Sequence, residues 1–394
     1  MKVEQNIERL KYLLSLLKMS VEELLPIINK NPNGETLKKP ITKEHIFATN
    51  IELGHLKRID KVFNKGIHYY LDPKSPDISK DASIFFRKTK FDVDLNLGAR
   101  KIVNHFEEFK ISLSAIAELS DIKFERQLPV FKISNNPKNA ASEIRQLINP
   151  TFNANSKDYL KELINKLAEK NILVFEFVET WNKKDKANID GFFLKPNVIV
   201  LKRYQISFKR EIFTLAHELG HYLLDEEEID KIEYDDLANQ NLSKIENWCN
   251  DFAYYFLSGE FEKVIEAIDN SNPQNDYNID LVQSISEKTH LSRIAIFTKL
   301  LLLNKISPAN YKKVRNEFEE EFRREQDRIN KQRELDKQNG INIGGSTPIP
   351  IKSPLLVSTI QTAFLEGVIN EYEFCKKLNI KPEKIDSFLY ESSN

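Results

Sequence analysis

The sequence predicts an α+β protein that is mostly helical and carries one small antiparallel sheet. Three observations lead there. Only 11 of 394 residues are glycine, well under the usual ~7%, while Lys, Glu, Leu and Ile, which suit helices, are abundant. Apolar residues recur at spacings of three and four over most of the chain, the period of a helix with one buried face. The β-rich runs crowd into a single stretch, at residues 172–178, 189–193 and 198–201.

In order along the chain, Ile7, Leu10, Leu14 and Leu17 share one helical face, and Ser20 with Glu23 forms a capping box for a second helix bearing Leu24, Ile27 and Ile28. Asn31-Pro32-Asn33-Gly34 breaks that helix. A further periodic stretch, Ile51, Leu53, Leu56, Ile59, Val62 and Phe63, ends at Gly66. Residues 1–75 therefore read as a compact helical domain, and residues 76–94 as a linker that opens within the turn-rich PKSPDISKD at 73–81. Residues 95–170 continue helically, with Ile102, Phe106 and Phe109, then Ile144, Leu147 and Ile148, then Leu160, Leu163, Ile164 and Leu167. Turn signals at Asp190-Gly191 and Lys195-Pro196-Asn197 separate the strands, and a helix opens near Ser207. The acidic run 225–236 reads as a solvated loop, followed by a helix over 243–259. A helical C-terminal region, 263–394, includes a long exposed helix over 311–338 and two short helices over 355–366 and 371–378.

The charge balance is even, with 58 Lys and Arg against 59 Asp and Glu, which excludes a protein that wraps nucleic acid by bulk charge. The balance is not uniform. Residues 1–75 hold 13 Lys and Arg against 9 Asp and Glu, so this segment is mildly basic. Two cysteines, Cys249 and Cys375, cannot build a disulfide framework or a thiolate zinc site. With no signal-like start and no apolar run of ~18 residues, the expected location is the cytoplasm, away from membranes.

The chemistry concentrates in His217-Glu218-Leu219-Gly220-His221. Residues at i and i+4 lie above one another on a helix, so both imidazoles can face one metal ion. Flanking Ile212, Phe213, Leu215, Ala216, Leu219, Leu223 and Leu224 make a buried helix that holds them rigidly. Glu218, beside the first histidine, is placed to take a proton from water and deliver it to a leaving amine. A catalytic zinc needs a third protein ligand and an open position. Glu246, on the following helix, is the foremost candidate, and Asn250, one turn on, can orient a ligand. Glu246 also completes a capping box with Ser243, and spacing alone supports both readings. Tyr204, Arg203 and Arg210 flank the helix, where a phenol or guanidinium can stabilise an oxyanion or simply support the fold. The strand at 197–202 can receive an extended peptide by strand addition or be an ordinary hairpin strand. His45, His55, His68, His105 and His290 lack ligand spacing.

FTLAHELGHYLL, followed by E-x-x-x-N-D-F-A from Glu246 to Ala253, resembles the ImmA/IrrE metallopeptidases, and IDGFFLKPNVIVLKR just upstream is similar to the hairpin they carry before the zinc helix. The resemblance covers about 95–262 and implies a zincin-like peptidase domain. It implies that Zn2+ is held by His217, His221 and Glu246, with Glu218 as catalytic base. One departure is Cys249, where a small alanine is usual; it reads as a buried small residue. Residues 1–75 resemble the helix-turn-helix domain of phage-repressor-type regulators, with the recognition helix expected in NPNGETLKKPITKEHIF, where Pro32 and Pro40 disturb it. That segment reads either as a DNA reader or as a domain that docks protein.

The resemblance implies a site-specific zinc endopeptidase that cleaves a protein partner. The implied partner is a helix-turn-helix repressor encoded nearby, whose cleavage switches on stress-response, phage-defence or mobile-element genes. Two alternatives stand beside it: a DNA- or repressor-binding regulator with non-catalytic zinc, and a toxin–antitoxin component.

Overall fold

The computed structural model describes residues 1–76, 83–87, 94–179, 186–203, 207–230, 242–340 and 348–391. The linker expected at 76–94 and the acidic run at 225–236 thus fall partly outside the described residues, and Tyr204 lies wholly outside them. The described chain is mostly helical with small sheets, as the composition predicts. It divides into two compact units, Met1–Ile111 with Asp185–Asn188, and Ser112–Lys184 with Ile189–Asn394.

In the first unit, β1 (Lys2–Glu4) precedes α1 (Ile7–Leu16) and α2 (Val21–Ile28), then come α3 (Lys43–Ile46), β2 (Asn50–Glu52), α4 (Leu53–Phe63), α5 (Ile67–Leu71) and α6 (Ile84–Arg87). The Ser20–Glu23 capping box forms as read. Ile51 departs from the helical reading: it sits in β2, which pairs antiparallel with β1. The stretch expected to hold a recognition helix forms only the four-residue α3. Its physical reason is local. Gly34 takes a left-handed φ of 89° in the turn bridged by Lys30 and Thr36, and Pro40 lacks the N–H that a continuing helix needs. The Asn29 side chain instead binds both the N–H and the C=O of Ile41, fixing the irregular segment.

The helix α7 (Leu97–Leu119) contains the boundary between the units. The second unit continues with α8 (Pro137–Ile148), α9 (Ser156–Ala168), β3 (Leu173–Phe177), β4 (Gly191–Leu194), β5 (Val198–Lys202), α10 (Phe208–Leu224), β6 (Ile229–Asp230) and α11 (Lys244–Ser258). Beyond these lie α12 (Glu262–Ala267), α13 (Ile279–Thr289), α14 (Arg293–Leu302), the long α15 (Pro308–Gln338), α16 (Pro354–Leu365), α17 (Glu371–Leu378) and α18 (Ile385–Glu391).

The sheet has the order β3-β5-β4-β6 and is mixed, which corrects the antiparallel expectation. β4 and β5 form the hairpin read from the turn at 195–197, but β3 joins the other side of β5 in parallel. A hairpin leaves the outer edge of its second strand open, and β3 takes it. Two further readings change with that order. The 197–202 strand is interior, flanked by β3 and β4, so no peptide can add to it. Gly191 is not in a turn: it pairs with Leu201 on one side and Asp230 on the other.

α10 lies against this sheet with Glu211 to Leu224 all buried. Its first turn is tied down by charge. Arg203, just past β5, bonds to Glu211 of α10 and approaches Glu176 of β3 at 3.8 Å. One guanidinium thus faces two buried carboxylates. Burial, opposed by Arg203 and aided by the Glu176 charge, pushes the Glu211 carboxyl up to about 8. The folded state therefore keeps a proton that the unfolded chain releases at about 4.3, and this group takes stability away as pH rises from there to about 8. In differential scanning calorimetry the Tm is expected to fall across that window, and Glu211→Gln to flatten the fall. An unchanged slope in the variant contradicts the shared-arginine account.

Candidate metal centre

The site forms where α10 crosses α11. A methyl group at Gly220 would lie 3.1 Å from the Cα and Sγ of Cys249, so the glycine lets the two helices approach at that point. His217 and His221 stand on either side of Gly220 in the sequence, and Glu246 lies one turn before Cys249. Trp248 Nε1 donates to the Asn135 C=O at 2.8 Å, anchoring α11 from its far side.

The close crossing brings three ligand-capable side chains together. His221 Nε2 lies 3.1 Å from His217 Nε2. Glu246 places Oε2 at 3.2 Å from His217 Nε2 and Oε1 at 3.2 Å from His221 Nε2. All their ligand atoms fall within 4.8 Å of one another. Both histidines are fully buried and Glu246 is 4% exposed. Two imidazole nitrogens and a carboxylate aimed at one point in a dry interior are lone pairs facing lone pairs. A cation between them relieves that repulsion, so the donor set fits a divalent metal, and nitrogen with oxygen suits zinc. Among the described residues, no other group of three His, Cys, Asp or Glu side chains converges in this way.

The capping box read at Ser243–Glu246 forms only its serine half. Ser243 Oγ accepts the Glu246 N–H at 3.1 Å as the helix cap, while the Glu246 carboxylate turns to the histidines. Asn250 Oδ1 lies 2.9 Å from His217 Nδ1. That contact assigns the proton to Nδ1 and leaves Nε2 as the donor atom facing Glu246 and His221. Cys249 is buried against Gly220.

Glu218 is 1% exposed, and its Oε2 has no hydrogen-bond partner. Burial first of all, opposed by His221 and aided by the charges of Glu246, Asp190 and Glu228, pushes its carboxyl up to about 8. A carboxyl with that proton affinity can both accept and return a proton near neutral pH. Its seat depends on Gly191, which sequence reading assigned to a turn. A methyl group there would lie 2.6 Å from Thr214 Cγ2 and 3.0 Å from Glu218 Oε1. A glycine inside a β-rich run is the signal that was available, since it marks a close approach of backbone to something else. Neither flanking arginine reaches toward an open site: Arg203 holds Glu211, and Arg210 bonds to Asp190, the residue before Gly191. That pair ties the start of β4 to the first turn of α10.

Loss of the orienting bond gives a direct check. Asn250→Ala is expected to weaken zinc binding about 10–100-fold while leaving the fold intact. Competition against a coloured chelator measures the affinity, and circular dichroism checks the fold.

Comparison with known proteins places this site within a recognised sequence pattern. Residues 168–260 match the family model described as the IrrE N-terminal-like domain, Peptidase_M78. No curated protein and no solved structure matches the chain. The matched segment contains β3 to β6, α10 and α11, and with them every residue of the converging group. It supports a metallopeptidase of the IrrE type, from a family of zinc peptidases, and a peptidase acts on protein.

Proposed function

We propose that the protein is a zinc-dependent endopeptidase that cuts one protein partner at a specific site. The observation carrying this reading is the convergence of His217, His221 and Glu246 with Glu218 beside them on one buried helix. In this reading those three residues hold the zinc. When bound there, zinc supplies Lewis acidity to the scissile carbonyl and to the attacking water.

The chain's own residues carry the proton traffic. Glu218 takes a proton from the attacking water at its unbonded Oε2, and returns it to the amine nitrogen as the peptide bond breaks. Asn250 keeps the His217 ring in one tautomer throughout. Gly191 and the Asp190–Arg210 pair hold β4 against Glu218, so the carboxylate is positioned before substrate arrives.

The substrate in this proposal is a helix-turn-helix repressor encoded by a neighbouring gene, and its cleavage releases the genes it silences. Residues 1–75 are the partner-docking module. The four-residue α3 favours docking of protein over major-groove reading, which needs a longer recognition helix. No helix among the described residues is long and apolar enough to cross a membrane, in keeping with a cytoplasmic partner.

Zinc-loaded protein incubated with the neighbouring repressor is expected to give one discrete cut. Glu218→Gln is expected to retain zinc and lose roughly 10²–10⁴-fold in cleavage rate. Undiminished cleavage by that variant removes Glu218 from the mechanism.

A further inference from the structure

A cavity of about 690 Å³ opens where the start of α14 meets α15. That volume lies within the ~300–1,000 Å³ typical of small-molecule sites. Arg293 and Ile294 of α14 form one wall, and Phe318, Glu319, Phe322, Arg323 and Gln326 of α15 form the other. On α15, residues 319, 322, 323 and 326 follow the three-and-four spacing of a single helical stripe. None of these side chains belongs to the converging group of the metal centre.

Two kinds of group line it. The first is aromatic. Phe318 is nearly buried, and its ring packs against Phe297 with centroids 5.8 Å apart, which roots this wall in the core. Phe322, one turn on, is 54% exposed, a phenyl face left open at the cavity. The second is positive charge. The Arg293 guanidinium lies 4.1 Å from the centre of the Phe318 ring, which holds it flat against the wall. Its Nη2 donates to Glu321 at 2.9 Å. Glu319, the carboxylate in the lining, already accepts from Arg315 at 2.8 Å. Both nearby carboxylates are thus matched, and Arg323 is left without an ion pair among the described residues. Lys209, two residues past Ser207 of the same lining, feels the surplus. Burial, opposed by Glu287 and aided by Arg293, lowers its pKa.

We propose that this cavity binds a mononucleotide, with its base stacked on Phe322 and its phosphate held by Arg293 and Arg323. The two halves of the lining call for two halves of a ligand. A guanidinium presents a planar fork that matches phosphate oxygens in pairs. A phenyl face stacks on any base, since every base has a π-face. Gln326, on the same stripe, offers both a donor and an acceptor to a base edge. Nothing in this site depends on the metal, so it is a second binding function of the chain and stands apart from the peptidase reading.

Equilibrium dialysis of the full-length chain against radiolabelled AMP, GMP, CMP and UMP tests it. Saturable binding of about one nucleotide per chain is expected, with a Kd below about 1 mM for at least one of the four. Inorganic phosphate alone and the matching nucleoside alone are each expected to bind at least about tenfold more weakly, since each engages one half of the lining. Phe322→Ala is expected to weaken nucleotide binding about five- to a hundredfold, and Arg323→Ala about tenfold. Both side chains are exposed, so circular dichroism is expected to stay unchanged. Arg324→Ala removes a neighbouring charge whose side chain is 80% exposed and which lies outside the lining, and it is expected to leave binding unaltered. Failure of all four nucleotides to bind saturably overturns the proposal. So does binding that survives both Phe322→Ala and Arg323→Ala, or phosphate that matches the nucleotide in affinity. Chelator-stripped protein is expected to bind equally well; binding that requires zinc places the nucleotide elsewhere and also overturns the proposal.

Discussion

The close crossing of α10 and α11 at Gly220 is the constraint on which the site depends. Helix axes normally pack 8–10 Å apart, with the distance set by the side chains at the contact. With no side chain at Gly220, Cys249 can press against the helix backbone. A carboxylate one turn earlier, Glu246, then reaches two imidazoles on the facing helix at 3.2 Å each. A larger residue at either position separates the helices and withdraws the third ligand. Trp248, Phe252 and Phe256 stack on one another along one buried face of α11.

The crossing concentrates polar groups that a dry interior does not tolerate alone. Glu218, Glu246, His217 and His221 lie within a largely apolar core containing Leu215, Leu219, Phe252 and Phe256. Buried ionisable groups are retained when pairing or a ligand repays their desolvation. Around the centre, several polar side chains have a specific restraint: Asp190 has Arg210, Glu211 has Arg203, and His217 has Asn250. These restraints join β4, the residue after β5 and α11 to the single helix α10. The sheet, the helix pair and the converging side chains therefore share one rigid frame, the setting in which proton transfer is best positioned.

Legibility in the sequence followed the range of the interaction. The two histidines and Glu218 were readable because an i, i+4 pair on an apolar helix is a local statement. The Ser20–Glu23 cap was readable for the same reason, and it formed. Glu246 was ambiguous because a helix start and a ligand use the same residue three positions after a serine; the backbone N–H serves one purpose and the carboxylate the other. Gly191 was misread because Asp-Gly is a strong turn signal, while its actual reason is the bulk of Thr214 and Glu218 across a tertiary contact. The parallel pairing of β3 was hidden because it depends on which hairpin edge remains open, which no local pattern records. The Glu176–Arg203–Glu211 group was also invisible as a unit, since its members come from a strand, a strand end and a helix start. The recognition helix expected within 31–47 gave way to a single turn, as the prolines and Gly34 in that stretch require.

The ligand set is the central claim, and X-ray absorption at the zinc edge tests it most directly. Cys249 lies against Gly220, between the two histidines in sequence, so a thiolate is the natural competitor for a place on the metal. The account predicts about one zinc per chain with a nitrogen and oxygen shell at about 2.0–2.1 Å and no sulfur scattering. A sulfur shell at about 2.3 Å, or protein that purifies and reconstitutes without zinc, contradicts it.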